Sequence, residues 1–292
     1  MKDYNIPVRL EKFEVDYDFG IHEVNDHTIP YCLLNLKIPD KVITPFPRIG
    51  HLVLNFYCGG SYKNKFLNYS GSQAVSNRLY IAGLFTDGAL HLEQEGDCKG
   101  YAIRMHPVIG YYFLKVPMWE ITNRQVEITS IILNSKKSME LRNAQKNERI
   151  DSIDHKILQE FLSTYLPKKE SYINDPIYHA VNKIIQYKGC VKINELAQEY
   201  CMSHRNFSRN FLLKVGISAS AYAKIWQMEN AMRLIMENPK SSLSEIAFRA
   251  GYYDVAHLAH DFKEKAGILP TSFRRNDNPL IETYLTTQSK NH

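Results

Sequence analysis

Long apolar runs are missing from this chain of 292 residues. No stretch approaches the ~18–20 apolar residues that span a bilayer. The opening stretch, MKDYNIPVRLEKFEVDYD, holds no apolar core of the signal-peptide kind, so neither export nor a membrane partner is expected. Cysteine is sparse and unpaired in spacing: Cys32, Cys58, Cys98, Cys190 and Cys201 include no CxxC. That excludes a disulfide framework or a zinc ribbon. The thiols read as buried and reduced in a cytoplasmic protein, with a redox-sensing thiol as the alternative. Catalytic signatures are missing too. There is no GxSxG, no HExxH, no phosphate-cradling GxxxxGK[ST] and no Pro-Cys-His nucleophile. His91-Leu92-Glu93 lacks the second histidine of a barrel metal site, and His22 and His27 read as surface residues of a polar loop. No enzyme, cofactor or metal is therefore expected.

The composition is that of a globular protein, with 44% hydrophobic and 23% charged residues, which argues against disorder. From about Leu10 to Glu127 short apolar alternations are broken by Gly, Pro, Asn and Asp. Leu52, Leu54, Phe56 and Cys58 alternate with Val53, Asn55 and Tyr57. Tyr80, Ala82 and Leu84 repeat the theme. Leu90 and Leu92 precede a polar turn at Glu95-Gly96-Asp97, and Tyr101, Ile103 and Met105 follow it. Period-2 runs of this length predict strands of an antiparallel sheet, sandwich or barrel. His106-Pro107 marks a boundary before a short helix over Val108–Val116. Its aromatic face would come from Tyr111, Tyr112 and Phe113.

From about Ser138 the period becomes helical. Ile150, Ile153, Ile157, Phe161 and Leu162 form one stripe, which Pro167 ends. The stripe would pack on its own domain or on a second copy. Residues Lys168 to Pro176 read as a polar linker, with Asp175 as N-cap and Pro176 at the first helical position. The predicted class is α+β. A β-rich domain (cupin-like, or a sandwich or barrel) with a C-terminal helix covers residues 1–170. An all-α domain with two helix-turn-helix units covers 171–276, and 277–292 is a tail. Residues 1–170 hold 21 Lys/Arg against 20 Asp/Glu, and residues 171–292 hold 15 against 11. The basic surplus therefore sits on the helical part.

That part repeats itself. Ile193, Leu196 and Ala197 match Leu243, Ile246 and Ala247 at an offset of 50. Ser203, Phe207, Phe211, Gly216 and Tyr222 match Asp254, Leu258, Phe262, Gly267 and Phe273 at an offset of 51. Each copy predicts a short helix, a tight turn (Cys201-Met202; Gly251), an N-cap (Ser203; Asp254), and a second helix closed by glycine (Gly216; Gly267). Between the copies, Ser218 to Asn238 predicts a connecting helix. At ~1.5 Å per residue it spans roughly 30 Å, close to the ~34 Å between successive faces of B-DNA.

The pattern in Ile193–Arg275 resembles the DNA-binding domain of AraC/XylS-type bacterial transcription regulators. The matching residues are Leu196-Ala197, MSxRxFxRxF from Met202 to Phe211, Gly216, IAFRAGYYD from Ile246 to Asp254, HLxxDFK from His257 to Lys263, and GxxPxxFRR from Gly267 to Arg275. The resemblance implies seven helices, two helix-turn-helix units and binding to double-stranded promoter DNA, as an activator or a repressor. It brings in RNA polymerase contact, a small-molecule effector and a homodimer as further partners. For residues 1–170 the similarity is one of layout. Their tyrosines and apolar strands suit either a small-molecule pocket or a core, and no ligand residue is assigned.

On the first reading helix the outward positions after the Ser203 cap are His204, Arg205, Ser208 and Arg209. Arginine can bind guanine O6 and N7 bidentately in the major groove. The family resemblance implies base contacts at Arg205, Ser208 and Arg209. Ordinary solvated charges or phosphate contacts are the alternative. In the second unit Ala256, Ala259 and His260 stand where Arg205, Ser208 and Arg209 stand in the first. His257, His260 and Lys263 remain as donors, and the methyls of Val255, Ala256 and Ala259 suit thymine methyls. Positioning through phosphates is the alternative role of this helix. His257 and His260 lack a third metal ligand. Arg274 and Arg275 read as phosphate partners, and Lys214 as phosphate-facing or simply exposed. A module that docks a protein without reading DNA is the competing function.

Overall fold

The computed structural model describes residues 14–128, apart from 25, 59–60, 68, 70–72, 76–77 and 87, and residues 155–275. Alternating apolar and polar residues build one antiparallel sheet from β1 (Glu14–Val24), β2 (His27–Phe46), β3 (Leu52–Cys58), β4 (Lys63–Leu67), β5 (Ala74–Val75), β6 (Arg78–Ala82), β7 (Leu90–Met105) and β8 (Gln125–Glu127). The strand order is β1-β2-β7-β3-β6-β8, with β4 joining β7 to β5. One half of β7 pairs with β3 and the other with β4, while β2 runs along both. The β2–β7 register slips between Ile38 and Val42, opposite Gly96, whose φ is +91°. Such a bulge bends a strand without ending it. The turn expected at Glu95-Gly96-Asp97 is thus a bend inside one 16-residue strand.

The period of 2 gives the sheet two unlike faces. Leu52, Leu54, Phe56, Tyr101 and Ile103 are buried on one face and join the main apolar core. The other face carries Val53, Asn55, Tyr57, Ala102 and Arg104, which line a cavity of about 140 Å³. The expected helix after His106 is α1 (Pro107–Leu114), with His106 Nδ1 accepting from the Val108 N–H. Loss of water around that ring pushes its pKa down to about 3, so it stays a neutral acceptor. A 3₁₀ turn (Met118–Glu120) leads into β8.

Part of the stripe read from Ile150 to Leu162 lies outside the described residues. Its remainder forms α2 (His155–Tyr165). Leu158, Phe161 and Leu162 are buried in the chain's own core. The segment expected to be a polar linker is packed as well. Tyr172 is buried and its hydroxyl meets His27 Nδ1 at 2.9 Å. His27 Nε2 lies 2.8 Å from the Pro167 carbonyl. His27 is therefore an interior residue, against the surface position expected for it. Of the cysteines, Cys98 is buried, Cys32 is half-buried, and Cys190 and Cys201 are exposed, so the expectation of buried thiols fails for the last two.

Seven α-helices follow among the described residues: α3 (Pro176–Gln186), α4 (Ile193–Glu199), α5 (His204–Val215), α6 (Ala219–Glu237), α7 (Leu243–Arg249), α8 (Val255–Ala266) and α9 (Pro270–Arg274). Asp175 caps α3, accepting from the Ile177 N–H at 2.9 Å. The helices divide between two cores. α3, α4, α5 and the first half of α6 share one core with the sheet. The second half of α6, from Met228, packs with α7, α8 and α9 in another. Polar ties reinforce the first junction. Tyr222 donates to the Gly50 carbonyl at 2.7 Å, and Thr122 donates to the Gly216 carbonyl at 2.9 Å. A Cβ at Gly50 would sit 2.3 Å from Trp226 Nε1, so the two parts touch through backbone.

Candidate nucleic-acid interface

The two repeats fold alike down to single hydrogen bonds. In the first, the Met202 N–H donates to the Ala197 carbonyl at 3.0 Å, and in the second the Tyr252 N–H donates to the Ala247 carbonyl at 2.9 Å. Cys201 and Gly251 both take positive φ, 52° and 75°, and so make the turn. The extra residue of the second copy is Tyr253, which is 93% exposed. Ser203 Oγ accepts from the Asn206 N–H at 3.3 Å and starts α5. Asp254 Oδ1 accepts from the His257 N–H at 2.7 Å and starts α8. Each cap satisfies a backbone donor that a helix start leaves unpaired.

The apolar stripes then orient the helices. Phe207 and Phe211 are fully buried, their ring centroids 5.6 Å apart. This turns His204, Arg205, Ser208, Arg209 and Leu212 outward, and all five are exposed. Arg209 is steadied by a bond from its guanidinium to Asn206 Oδ1 at 3.2 Å. The face therefore presents two guanidinium forks, a hydroxyl and an imidazole, all donors suited to base edges and phosphates. On α8, Leu258 and Phe262 are buried, and Ala256, His257, His260 and Lys263 are exposed. Val255 and Ala259 are half-buried. Asp261 and Lys265 turn inward as a buried pair at 2.6 Å.

Two expected contacts, Lys214 and Arg274, are placed away from the reading face. Lys214 sits on the side of α5 facing the sheet domain, 2.5 Å from Asp175 and 6.0 Å from the Tyr111 and Tyr112 rings. Asp175 also accepts from the Tyr112 hydroxyl at 2.9 Å. Helical spacing along α5 had no way of showing this partner, which lies 39 residues away in the chain. Arg274 donates to the Ser241 carbonyl at 2.9 Å, tying α9 to the loop before α7, while Arg275 is exposed. His260 lies beside Glu264 at 3.9 Å. With Asp261 they form a His/Asp/Glu group, but Asp261 is already held by Lys265. Exposed Leu212 and Tyr253 were not singled out by sequence, although the 51-residue offset marks Tyr253 as the inserted residue.

The helix-turn-helix domain family matches residues 196–276, a span that holds both units and α6. Residues 196–276 form an AraC-type helix-turn-helix domain. The chain is 28% identical over 125 residues to the Msm operon regulatory protein of Streptococcus mutans, covering 41% of this chain and 43% of that one. It is 32% identical over 87 residues to an HTH-type transcriptional regulator of Mycobacterium tuberculosis, Rv1931c, covering 30% and 33%. The matched stretches thus span less than half of either relative. Among solved structures, ToxT from Vibrio cholerae aligns over 85% of this chain and 98% of its own, with 12% identity and a TM-score of 0.43. The AraC-type domain here follows a sheet domain, and among the described residues no helix is long and apolar enough to cross a membrane.

Proposed function

We propose that the protein is a one-component transcription regulator that binds promoter DNA through the two reading helices, with the sheet domain receiving a signal. The observation that carries this is the free face of α5. Arg205 and Arg209 stand exposed on a helix whose opposite side is locked by Phe207 and Phe211. Ser203, His204, Ser208, His257, His260, Lys263 and Arg275 complete the proposed contact set. Lys214 and Arg274 support the fold around it. α5 is the stronger reader because it carries guanidinium forks. α8 contributes methyl contacts and phosphate contacts. α6, 19 residues long, spans roughly 28 Å, which suits two reading helices in successive major-groove segments. The partners in this reading are promoter DNA, RNA polymerase, a small-molecule effector and a second copy of the chain, all in the cytoplasm, and the role is regulatory rather than catalytic.

Salt titration against a genomic promoter library tests this. Log affinity is expected to fall linearly with log salt, because each phosphate contact releases counterions. A protein that captures no duplex at low salt is the module that docks protein alone, and the proposal falls.

A further inference from the structure

The cavity of the sheet domain has a chemistry that selects its occupant. Its walls are apolar, from Leu34, Leu36, Val53, Phe66, Phe85 and Leu92. One side is a cluster of neutral hydrogen-bonding groups, all buried. Asn64 Nδ2 donates to the Tyr57 and Tyr62 hydroxyls at 2.8 and 3.0 Å. Gln94 Nε2 donates to Tyr62 at 2.8 Å, and Gln125 Nε2 donates to Asn64 Oδ1 at 2.9 Å. The amide nitrogens of Asn64 and Gln94 thus meet the chain's own phenols, and that of Gln125 meets the Asn64 carbonyl oxygen. One acceptor is left over: Gln94 Oε1 is buried with no hydrogen-bond partner among the described residues. A buried acceptor left without a donor destabilises the empty cavity. A ligand hydroxyl or N–H reaching it removes that cost.

Charge and size narrow the class further. Among the described residues no Asp, Glu, Lys or His lines the cavity, and the one charged lining residue is Arg104, which already has an interaction partner. An ion entering here would lose its water without gaining a free counter-charge, so charged ligands are disfavoured. A polyol would strand its hydroxyls on apolar walls for the same reason. The volume, about 140 Å³, is close to the ~150 Å³ of an apolar cavity that takes up benzene.

We propose that this cavity binds an uncharged, ring-sized organic molecule carrying a single hydroxyl or N–H donor, with its ring among the apolar walls and its donor at Gln94. This deepens the reading of the sheet domain as the signal-receiving part and rests on it.

Calorimetric titration of the full chain with p-cresol, toluene, benzoate and glucose is the test. Saturable 1:1 binding of p-cresol is expected, at least tenfold tighter than benzoate, toluene or glucose. Gln94→Leu should bring p-cresol down to the level of toluene. Ala102→Phe should fill the cavity and abolish both. No saturable p-cresol binding overturns the assignment. So does benzoate or glucose binding as tightly as p-cresol, or a folded Ala102→Phe protein that binds p-cresol as before. If Ala102→Phe does not fold, Gln94→Leu decides, and an unchanged ratio of p-cresol to toluene affinity overturns the assignment. The same preparation is titrated with duplex at low salt. DNA binding without p-cresol binding removes only the cavity ligand, whereas p-cresol binding without DNA binding removes the regulator reading.

Discussion

At the scale of single residues, the two reading helices differ in what they can offer a base pair. Arg209 is exposed, yet its guanidinium is held by Asn206, so less side-chain freedom is lost when it meets a guanine edge. Arg209→Ala should weaken binding to a duplex selected from a random pool by about 5–150-fold, the ~1–3 kcal/mol of a bidentate contact. Binding to an unrelated duplex should fall much less. Equal loss on both, by fluorescence anisotropy, would demote Arg209 to a phosphate contact. A second residue reports on the junction between the two parts. Glu229 is buried on α6, with one carboxylate oxygen unpartnered. Burial pushes its pKa up to about 7, against the opposing pull of Arg104, the Gly50 N–H and Arg233. The folded state thus holds a proton there that the unfolded chain releases near 4.5. Stability from this group is present below about pH 4.5 and is lost as pH rises to about 7, by linkage roughly 3 kcal/mol. Glu229→Gln keeps the acceptor for Gly50 and removes the titration. Its melting temperature relative to the parent should therefore rise between pH 5 and pH 8, and a constant difference would contradict the assignment.

At the scale of elements, the repeat was the most legible part of the sequence. Caps, stripes and closing glycines are local rules. Ser203, Asp254, Phe207, Phe211 and Gly216 accordingly took the roles their spacing foretold. The sheet was legible as alternation, and β3 kept its bounds, but the bend at Gly96 read as a turn because a glycine between polar residues signals both. What was not legible depended on distant partners. Lys214 reads as phosphate-facing or simply exposed, yet its partner Asp175 lies 39 residues away in the chain. His27 looks like a loop residue until Tyr172 covers it. The end of α5 combines a local and a distant requirement. Gly216 has φ +88°, and a Cβ there would lie 2.5 Å from Thr122 Oγ1 and 2.7 Å from the Met118 carbonyl. Gly216→Ala should cost about 2–4 kcal/mol, from backbone strain together with overpacking. Removing the cap by Ser203→Ala should cost about 1 kcal/mol. Urea denaturation compares them, and a Gly216→Ala loss no larger than that of Ser203→Ala would mean that this contact is not tight.

At the scale of the whole molecule, the boundary seen in the cores is not the one seen in the sequence. The period becomes helical from about Ser138, and the basic surplus begins after residue 170. Packing instead divides the chain inside α6, near Met228. The first helix-turn-helix unit shares its core with the sheet, while the second has a core of its own. A signal felt by the sheet would accordingly reach α5 through packed side chains, and would reach α8 along α6 and where Gly267, at the end of α8, lies against Ala89 and His91. This arrangement makes a prediction for local stability, since regions with separate cores open as separate units. Leu54 is fully buried on the sheet face that meets the helices, and Leu54→Ala should cost about 3–5 kcal/mol. Native-state hydrogen exchange should then show amides of β3, α3, α4 and α5 losing protection. Those of α7, α8 and the second half of α6 should keep theirs. The change should fall within one continuous helix, between Trp226 and Met232. Equal loss of protection throughout α7 and α8 would show a single cooperative unit, and coupling from the sheet to the second reading helix would then be as direct as coupling to the first.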